Sequence, residues 1–428
     1  MKLKVLIISH NSFSKTHNNG KTLSAIFSAF RPEELCQLYF TTIGSPDYER
    51  CRDYYFISDK DAVKSIFRRN RCGCQLPKVP VRDTEFIKSV MRTNTRPGII
   101  KKYIRTLIWN FSAWYRGGCK KWLEIQKPDA IFYVGGDGVF SHRISVNLSE
   151  KLNIPLATYF TDDYIINPPS DCYKKLLQKT YKKTVTRSAM LFAIGRKMAD
   201  DYTAYYNKEF KPIMNIVDIP PKEEWKAPKE NIAINYFGGL HLGRAAEIMR
   251  FARFMRDKVK DSLKKSYTIG IFSFAALSEE ELKELKDLGI VFHQGLTGVE
   301  LTEAMRKSDI LLHVESVKKE FHSLTKLSVS TKIPEYMCLT MPVMAFGPTD
   351  VASFSVIAEA NPAMVINDVE DSFMMDKQAD QIIKILNSDI KLASIAEANY
   401  NYSKDHFDKR IVAEQFRNEV VSMIKNRQ

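Results

Sequence analysis

Strand-like apolar runs alternate with helical patterns along this chain, and they do so in two successive series. The first series has strand-like runs at residues 4–10, 37–42, 129–135, 154–160 and 190–195. The second series has them at residues 232–237, 267–273, 290–294, 309–315, 342–346 and 363–367. Continuous apolar strands separated by helices are typical of parallel sheets that helices cover on both faces. The pattern predicts an α/β fold with two doubly wound domains.

A proline-rich polar segment separates the two series. Residues 207–230 contain four of the 17 prolines of the chain, which break the alternation and indicate a linker. We therefore predict an N-terminal domain over residues 1–206 and a C-terminal domain over residues 231–400. A helical segment, 401–428, follows, and the N-terminal domain is its candidate packing partner. Doubly wound sheets bind ligands beyond the carboxyl ends of their strands, so the informative residues should lie in those loops.

The positive charge of the chain is concentrated in one segment. Lys and Arg number 64 against 50 Asp and Glu, and residues 60–127 alone hold 17 basic and 4 acidic residues. Such a local excess indicates an anionic partner, for which a membrane surface is a candidate. Nucleic acid is disfavoured as a partner, because no recognised nucleic-acid-binding module accompanies the basic residues.

The expected location is cytoplasmic. No apolar run reaches the length of about 18 residues that a membrane-spanning helix needs, and the first residues lack the layout of a secretory signal. Seven cysteines are an odd, low number for 428 residues, which favours reduced thiols over a disulfide framework. The basic segment 60–127 suggests peripheral attachment to the inner face of the plasma membrane.

One amphipathic helix is predicted within the basic segment. Apolar residues at positions 100, 103, 104, 107, 108, 111, 114 and 115 follow the spacing of a single helical stripe. The plain interpretation is that this stripe packs on the core of the first domain. Lys101, Lys102 and Arg105 lie off the stripe, so we expect them to form a cationic rim that meets anionic lipid.

The loop after the first strand ends in Asn18-Asn19-Gly20-Lys21-Thr22, like the tail of a Walker A phosphate loop. Lys15 stands where that motif needs another glycine, which disfavours a nucleoside triphosphatase. The first strand is also not followed by G-x-G-x-x-G, which argues against a dinucleotide-dependent dehydrogenase. Gly20 lets the backbone approach a ligand closely, and the next helix offers N–H groups at its start. The alternative interpretation is a plain turn between a strand and a helix.

The first loop of the second domain carries a permanent cation. Residues 236–244, YFGGLHLGR, end a strand in a glycine-rich turn that includes Gly239, and Arg244 stands at the mouth of the next helix. This arrangement places a guanidinium group and several backbone donors where a pyrophosphate could bind. The alternative interpretation is a surface arginine beside an ordinary turn.

A later loop of the same domain, residues 328–337, reads SVSTKIPEYM. Ser330 or Thr331 can cap a helix there, and Lys332 would attract a phosphate. Glu335 could accept hydrogen bonds from a ribose diol. The alternative interpretation is that this glutamate only complements the helix dipole.

Together, these three loops resemble those of bacterial group 1 (family 4) glycosyltransferases in their order and spacing. The resemblance implies the GT-B fold, in which two Rossmann-like domains face each other across a cleft. It also implies transfer of a sugar, of the hexosyltransferase kind, from a nucleotide-sugar donor to a glycan or lipid-linked acceptor. Retention of anomeric configuration, metal-independent catalysis without a cofactor, and a role in bacterial surface polysaccharide assembly are the further implications.

The resemblance assigns roles to residues position by position. Arg244 would neutralise the donor diphosphate with help from Lys332, and Glu335 would bind the donor ribose. Gly20, Gly239, Ser330 and Thr331 would approach the donor phosphates, and Gln294 and Gly295 would lie near the nucleobase.

This sequence departs from the family pattern at two places. The first glutamate of the family's E-x7-E signature would fall at Leu327, so Glu315 or Glu320 is a candidate for the missing contact to the sugar. A histidine that many members have after the strand at 154–160 is absent. Asp162 is the candidate that replaces it, and His142 is the alternative.

Three competing interpretations accompany the glycosyltransferase hypothesis. Asp59-Lys60-Asp61 matches the D-x-D of metal-dependent glycosyltransferases with another fold, but so short a match arises easily by chance. A nucleotide-sugar epimerase can share the two-domain scaffold. A non-catalytic binding protein could use the basic segment alone.

Overall fold

The computed structural model describes residues 3–15, 18–41, 45–68, 72–77, 99–166 and 173–426. The chain forms two compact units. Unit 1 comprises Met1–Ile216 together with Lys409–Gln428, and unit 2 comprises Val217–Asp408.

Unit 1 is built on an eight-stranded sheet in the order β4-β3-β2-β1-β5-β6-β7-β8. Neighbouring strands are parallel except β3 and β4, which are antiparallel. The strands are β1 (Val5–Asn11), β2 (Leu35–Thr41), β3 (Tyr54–Phe56), β4 (Cys74–Gln75), β5 (Ala130–Gly135), β6 (Leu156–Phe160), β7 (Met190–Ala193) and β8 (Lys211–Pro212). The helices of its N-terminal part are α1 (Asn18–Ile26), α2 (Asp59–Phe67), α3 (Ile99–Phe111), α4 (Gly118–Gln126), α5 (Val139–Lys151), α6 (Lys174–Arg187) and α7 (Arg196–Tyr206).

Unit 2 is built on a six-stranded parallel sheet in the order β11-β10-β9-β12-β13-β14. Its strands are β9 (Asn231–Phe237), β10 (Ser266–Ser273), β11 (Ile290–Gln294), β12 (Ile310–Val314), β13 (Val343–Gly347) and β14 (Val365–Asn367). Its helices are α8 (Arg244–Phe254), α9 (Glu279–Asp287), α10 (Gly298–Arg306), α11 (Lys319–Thr325), α12 (Lys332–Met337), α13 (Ala352–Ala360), α14 (Ser372–Leu386) and α15 (Asp389–Phe407).

The strands β5, β12 and β13 are almost entirely apolar because helices cover them on both faces. Every residue of β5, β12 and β13 is buried. This explains why the strands appear in the sequence as continuous apolar runs and not as alternating patterns.

The last helix, α16 (Lys409–Lys425), belongs to unit 1. The ring of Phe416 packs edge-on against Phe27 and Phe132, with ring centroids 5.1 and 5.4 Å apart. Arg417 Nη2 donates a hydrogen bond to Glu34 Oε1 at 3.0 Å. The helix therefore completes the core of unit 1, although about 190 residues of unit 2 precede it in the chain.

The proline-rich segment 207–230 is divided between the two units. Its Lys211–Pro212 pair forms β8 and extends the sheet of unit 1 beside β7. Further along, the indole of Trp225 is buried in unit 2 and its Nε1 donates to the carbonyl of Asp309 at 3.1 Å. The chain crosses from one unit to the other after Ile216 and returns after Asp408.

Candidate functional site

The strand order of unit 2 creates a crevice between β9 and β12. From β9 the sheet continues through β10 on one side and through β12 on the other, so the loops after β9 and β12 leave in opposite directions. In doubly wound sheets such a reversal of strand order is where ligands bind. The loop after β9 leads to Arg244, and Glu315 directly follows β12.

Arg244 and Glu315 meet at this crevice. Arg244 Nη2 donates hydrogen bonds to both carboxylate oxygens of Glu315, at 2.9 and 3.1 Å. Glu315 is almost completely buried, whereas the arginine retains some exposure. Burial raises the pKa of Glu315, and the guanidinium of Arg244 opposes that rise. These two hydrogen bonds hold the guanidinium group of Arg244 in place. Because the carboxylate of Glu315 is buried, it is not exposed to contact a sugar.

Lys332 approaches the same crevice from the start of α12. A Cβ atom added to Gly238, which follows β9, would lie 2.7 Å from Lys332 Nζ. The absence of a side chain at Gly238 therefore allows the ammonium group to approach the loop. Burial, and then the charges of Arg244 and Lys332, lower the pKa of His313 in β12 to about 3. The charges of Arg244 and Lys332 therefore both act on His313, whose ring is neutral.

Tyr336 fixes α12 to the end of β9. Its hydroxyl donates to the carbonyl of Phe237 at 3.1 Å and accepts from the N–H of the same residue at 3.3 Å. Burial, and then Tyr236, hold the pKa of Tyr336 well above its usual range, and the charges of Glu335 and Arg244 also act on it. Arg244 and Glu335 therefore both lie near this tyrosine. Sequence reasoning missed Tyr336, whose position next to Glu335 was the available signal.

The glycine and hydroxyl residues of the predicted donor site have local partners. Gly239 accepts a hydrogen bond at its carbonyl from Tyr236 Oη at 2.8 Å. The N–H of Ser330 donates a hydrogen bond to Ser353 Oγ at 3.0 Å. This amide, which was predicted to bind a phosphate, therefore already has a partner within the chain. Thr331 is exposed immediately before α12, and Glu335 is partly buried within that helix.

An aromatic stack lies at the carboxyl ends of β9, β10 and β11. The ring of Phe237 stacks on Phe272 at 4.6 Å between centroids, and Phe272 stacks on His293 at 4.4 Å. Gln294 ends β11 and is exposed, and the N–H of Gly295 donates to the carbonyl of Ser273 at 2.8 Å. The predicted nucleobase residues therefore adjoin a flat ring surface, which could stack on a base.

Two other residues predicted to contact the sugar are Glu320 in unit 2 and Asp162 in unit 1. Glu320 is exposed in the first turn of α11. Asp162 follows β6 in unit 1, and its Oδ2 accepts from Thr161 Oγ1 at 3.2 Å. Asn19 Nδ2 donates to Thr161 Oγ1 at 3.4 Å, so the loop of Gly20 lies next to the loop of Asp162.

Gly20 serves the packing of its own loop. It is buried in α1, and a Cβ atom there would overlap the carbonyl oxygen of Ser12 and lie 2.9 Å from Ser14 Cβ. The N–H of Ser14 donates to the carbonyl of Gly20 at 3.2 Å. The close approach that glycine permits at this position is therefore between two parts of the chain.

The prediction that His142 contacts a sugar needs correction. The side chain is completely buried in α5, and its Nε2 lies 2.9 Å from the carbonyl of Gly136 and its Nδ1 lies 3.0 Å from Thr184 Oγ1. Burial lowers its pKa to about 3, so the ring is neutral. The sequence could not reveal this, because a helix places a histidine inward or outward according to the packing around it.

A cluster that sequence reasoning missed lies in unit 1 between β1 and β5, where its strand order also reverses. His10 near the end of β1 adjoins the Gly136-Asp137-Gly138 loop after β5. Lys102 Nζ pairs with Asp137 at 3.0 Å, and burial lowers the pKa of His10 to about 4. The signal in the sequence was the position of both loops directly after central strands.

Asp59 and Asp61 have structural roles. Asp59 Oδ1 accepts hydrogen bonds from Trp109 Nε1 at 2.7 Å and Arg105 Nε at 3.0 Å. Asp61 forms a capping box with Ser58 at the start of α2. Among the residues that the structure describes, no group of three or more His, Cys, Asp or Glu side chains is arranged to hold a metal ion.

A buried acid lies one turn along α8 from Arg244. Glu247 Oε2 accepts from the N–H of Val317 at 3.3 Å. Burial, and then hydrogen bonding to Asp368, raise the pKa of Glu247 to about 8. Arg250 Nη2 donates a hydrogen bond to Asp368 Oδ1 at 2.8 Å. We therefore expect Glu247 to be protonated at neutral pH and to donate a hydrogen bond to Asp368.

This protonation predicts that the free energy of unfolding falls as the pH rises from 5 to 8. The pKa of Glu247 is about 8 when folded and 4.5 ordinarily, so the stabilisation is complete below pH 4.5 and is lost through pH 8. At roughly 1.4 kcal/mol per unit of pKa difference, the shift from 4.5 to about 8 sets an upper bound of about 5 kcal/mol on this loss. Glu247→Gln keeps a donor but has no proton to release, so urea unfolding should depend less on pH. Equal slopes in the two proteins would contradict the prediction.

Comparison with known proteins supports the fold. No family model matches the chain, and no curated protein matches its sequence. Similar solved structures include Anabaena HepE in complex with UDP, at 12% identity over 98% of this chain and 100% of that chain, with a TM-score of 0.62. WaaB, a lipopolysaccharide outer core galactosyltransferase, aligns at 11% identity over 98% and 99% of the two chains, with a TM-score of 0.58.

A glycosyltransferase from Rickettsia africae aligns over 100% of both chains, at 11% identity and with a TM-score of 0.58. Each similarity covers both units, and at such low sequence identity it shows a shared fold alone. Two mostly parallel sheets flanked by helices occur in each case. The fold prediction is thereby confirmed: this chain has the GT-B fold with two Rossmann-like units.

Proposed function

We propose that this protein is a glycosyltransferase that moves a sugar from a nucleotide-sugar donor to a glycan or lipid-linked acceptor. The observation that carries the proposal is the convergence of Arg244 and Lys332 on the β9–β12 crevice of unit 2. Two cations at a ligand-binding position of this kind suit a diphosphate. The structural neighbours add weight, because HepE was crystallised with UDP and with UDP-glucose.

The proposed chemistry follows from the charge that develops during transfer. Breaking the anomeric C–O bond leaves a positive, oxocarbenium-like sugar and a negative diphosphate. Arg244 and Lys332 would stabilise that diphosphate, with Glu315 orienting the arginine. Because fixed cations perform this task, we propose that no divalent metal is needed. The departing phosphate can accept the proton of the acceptor, which fits a retaining mechanism without a strong protein base.

We assign the remaining parts by position. Glu335 beside Tyr336 would bind the ribose, and the aromatic stack ending at His293 would receive the nucleobase near Gln294 and Gly295. Asp162 in unit 1 would contact the acceptor or the donor sugar. A role in bacterial surface polysaccharide assembly on the cytoplasmic side is the biological setting that we propose. The described residues contain no helix long and apolar enough to cross a membrane.

A thermal-shift screen against UDP-, GDP-, ADP-, CMP- and dTDP-sugars, all with EDTA present, tests donor binding. One donor at about 100 times its Kd should stabilise the folded protein by roughly 2.7 kcal/mol, which raises the melting temperature by about 5 °C. Arg244→Ala should abolish the shift. Arg253→Ala, a change at an exposed arginine of the same helix, should retain it.

The fate of the bound donor separates the competing functions. Transfer to an acceptor extract in EDTA, with the anomeric configuration of the product retained in its NMR spectrum, supports the proposal. Turnover of the donor without any acceptor would favour an epimerase. A failure of every nucleotide sugar to shift the melting temperature would contradict the donor site and favour a binding protein.

A further inference from the structure

The outer face of α3 exposes a row of large apolar side chains. Ile100, Ile104, Leu107 and Phe111 are 75%, 51%, 55% and 72% exposed. Their spacing of four, three and four residues places them on one side of the helix. The opposite side is buried, because Thr106 and Trp109 face the unit and Trp109 stacks on Phe140 at 4.3 Å.

This arrangement corrects the prediction for the amphipathic stripe. The stripe was expected to pack on the core while the cations faced outward. Instead, half of the stripe faces outward, and Lys102 and Arg105 face inward, paired with Asp137 and Asp59 at 3.0 Å each. The reason is that Trp109 and its hydrogen bond to Asp59 fix the rotation of the helix.

The neighbouring helix α2 has exposed apolar side chains of its own. It lies beside α3, because Ser65 Oγ accepts from the N–H of Ala113 at 3.0 Å and Asp59 accepts from Trp109. Val63 and Phe67 lie two residues on either side of Ser65, so they point away from this contact, and Phe67 is 84% exposed. We call the exposed row on α3, which consists of Ile100, Ile104, Leu107 and Phe111, the apolar face.

Exposed cations occur on α3 and on, or directly after, the neighbouring helix α2. They are Lys60, Lys64, Arg68 and Lys101. These residues belong to segment 60–127, which holds 17 basic and 4 acidic residues; part of that segment, 69–71 and 78–98, lies outside the described residues. A surface that combines apolar side chains with positive charge is complementary to an anionic bilayer, which offers acyl chains beneath negative headgroups.

We propose that unit 1 docks on an anionic lipid bilayer by inserting the apolar face of α3 among the headgroups. A second copy of the chain fits less well, because it would bring a second basic segment against the first. Nucleic acid would neutralise the lysines but would leave Ile104, Leu107 and Phe111 without apolar partners. The docking does not depend on the proposed transfer activity, because it uses no residue of the donor site.

The docking also has a consequence for the crevice of unit 1. The inner face of α3 carries Lys102 and Arg105 to the cluster around His10 and Asp137. A helix whose outer face lies in the headgroups therefore brings its inner face close to the lipid surface, since an α-helix is only about 10 Å wide. An acceptor anchored in the bilayer would then reach this cluster.

Flotation with lipid vesicles tests the docking on the full-length protein. Vesicles of phosphatidylcholine alone are compared with vesicles containing 30% phosphatidylglycerol, at 50 and 500 mM NaCl. The wild type should float with the anionic vesicles and bind neutral ones at least tenfold more weakly. Added salt should weaken the binding to anionic vesicles without abolishing it, because the apolar insertion persists.

Two variant pairs locate the surface. Ile104→Gln with Leu107→Gln should weaken binding at least tenfold, whereas Phe373→Gln with Ile390→Gln, at exposed apolar positions of unit 2, should not. Lys64→Glu with Lys101→Glu should also weaken binding, whereas Lys283→Glu with Lys286→Glu on α9 should not. Circular dichroism melting shows whether each variant is folded.

Several results would overturn the proposal. One is a folded wild type that does not float with anionic vesicles. Another is that the Ile104→Gln, Leu107→Gln variant binds anionic vesicles as tightly as the wild type does. Self-association that the α3 variant abolishes, without vesicle binding, would replace the bilayer by a second copy of the chain. Nucleotide-sugar binding in the thermal-shift screen would be unaffected by any of these outcomes.

Discussion

Replacement of Arg244 by alanine should reduce sugar transfer by about 10²–10³-fold, the typical cost of losing one preorganised group that stabilises developing negative charge. The guanidinium stands at the β9–β12 crevice, where Glu315 holds it through two hydrogen bonds. Alanine cannot replace the charge, so the departing diphosphate would lose one of its two cations. Steady-state kinetics with the donor identified by the thermal-shift screen would measure the loss.

The stability of this variant can be separated from its activity. Removing Arg244 leaves Glu315 buried without its cation, but burial already raises the pKa of that carboxyl group, so it can take up a proton. The variant should therefore fold, which its melting curve would show. The double variant Arg244→Ala with Glu315→Gln removes the charge altogether and should be equally inactive. Full activity in either variant would refute the role of Arg244.

Replacement of Gly347 by alanine should destabilise unit 2 by about 3 kcal/mol or more, because it combines backbone strain with a steric overlap. Gly347 ends β13 with a φ of +141°, and a Cβ atom there would overlap the carbonyl oxygen of Glu315. The chain around Glu315 would have to move, and Arg244 would lose its support. Urea unfolding would measure the loss of stability, and nucleotide-sugar binding should weaken with it.

Gly289→Ala is the matched control for this effect. Gly289 has a φ of +72°, but a Cβ atom there would meet no atom within 4 Å. It should therefore lose only the roughly 1–2 kcal/mol that a left-handed backbone costs an L-residue. If both variants lose the same free energy of unfolding, the close approach between Gly347 and Glu315 does not contribute to stability.

The local patterns in the sequence were sufficient to predict the strands, the helices and the α/β fold class. Parallel strands covered on both faces must be apolar throughout, and their runs stand out whatever their neighbours are. Arg244 and Lys332 could likewise be found without a structure, because each begins a helix after a strand or a loop of recognisable composition. These features depend on residues close together in the chain.

The tertiary structure decided everything that depends on which strands become neighbours. Glu315 became the partner of Arg244 only because β12 lies beside β9, although the two residues are 71 positions apart in sequence. His142 turned inward because Thr184 and Gly136 surround it. The rotation of α3 was set by Trp109 binding Asp59, 50 residues earlier, which turned apolar residues outward and cations inward. A periodic pattern identifies the faces of a helix, but only packing between distant segments decides which face is buried.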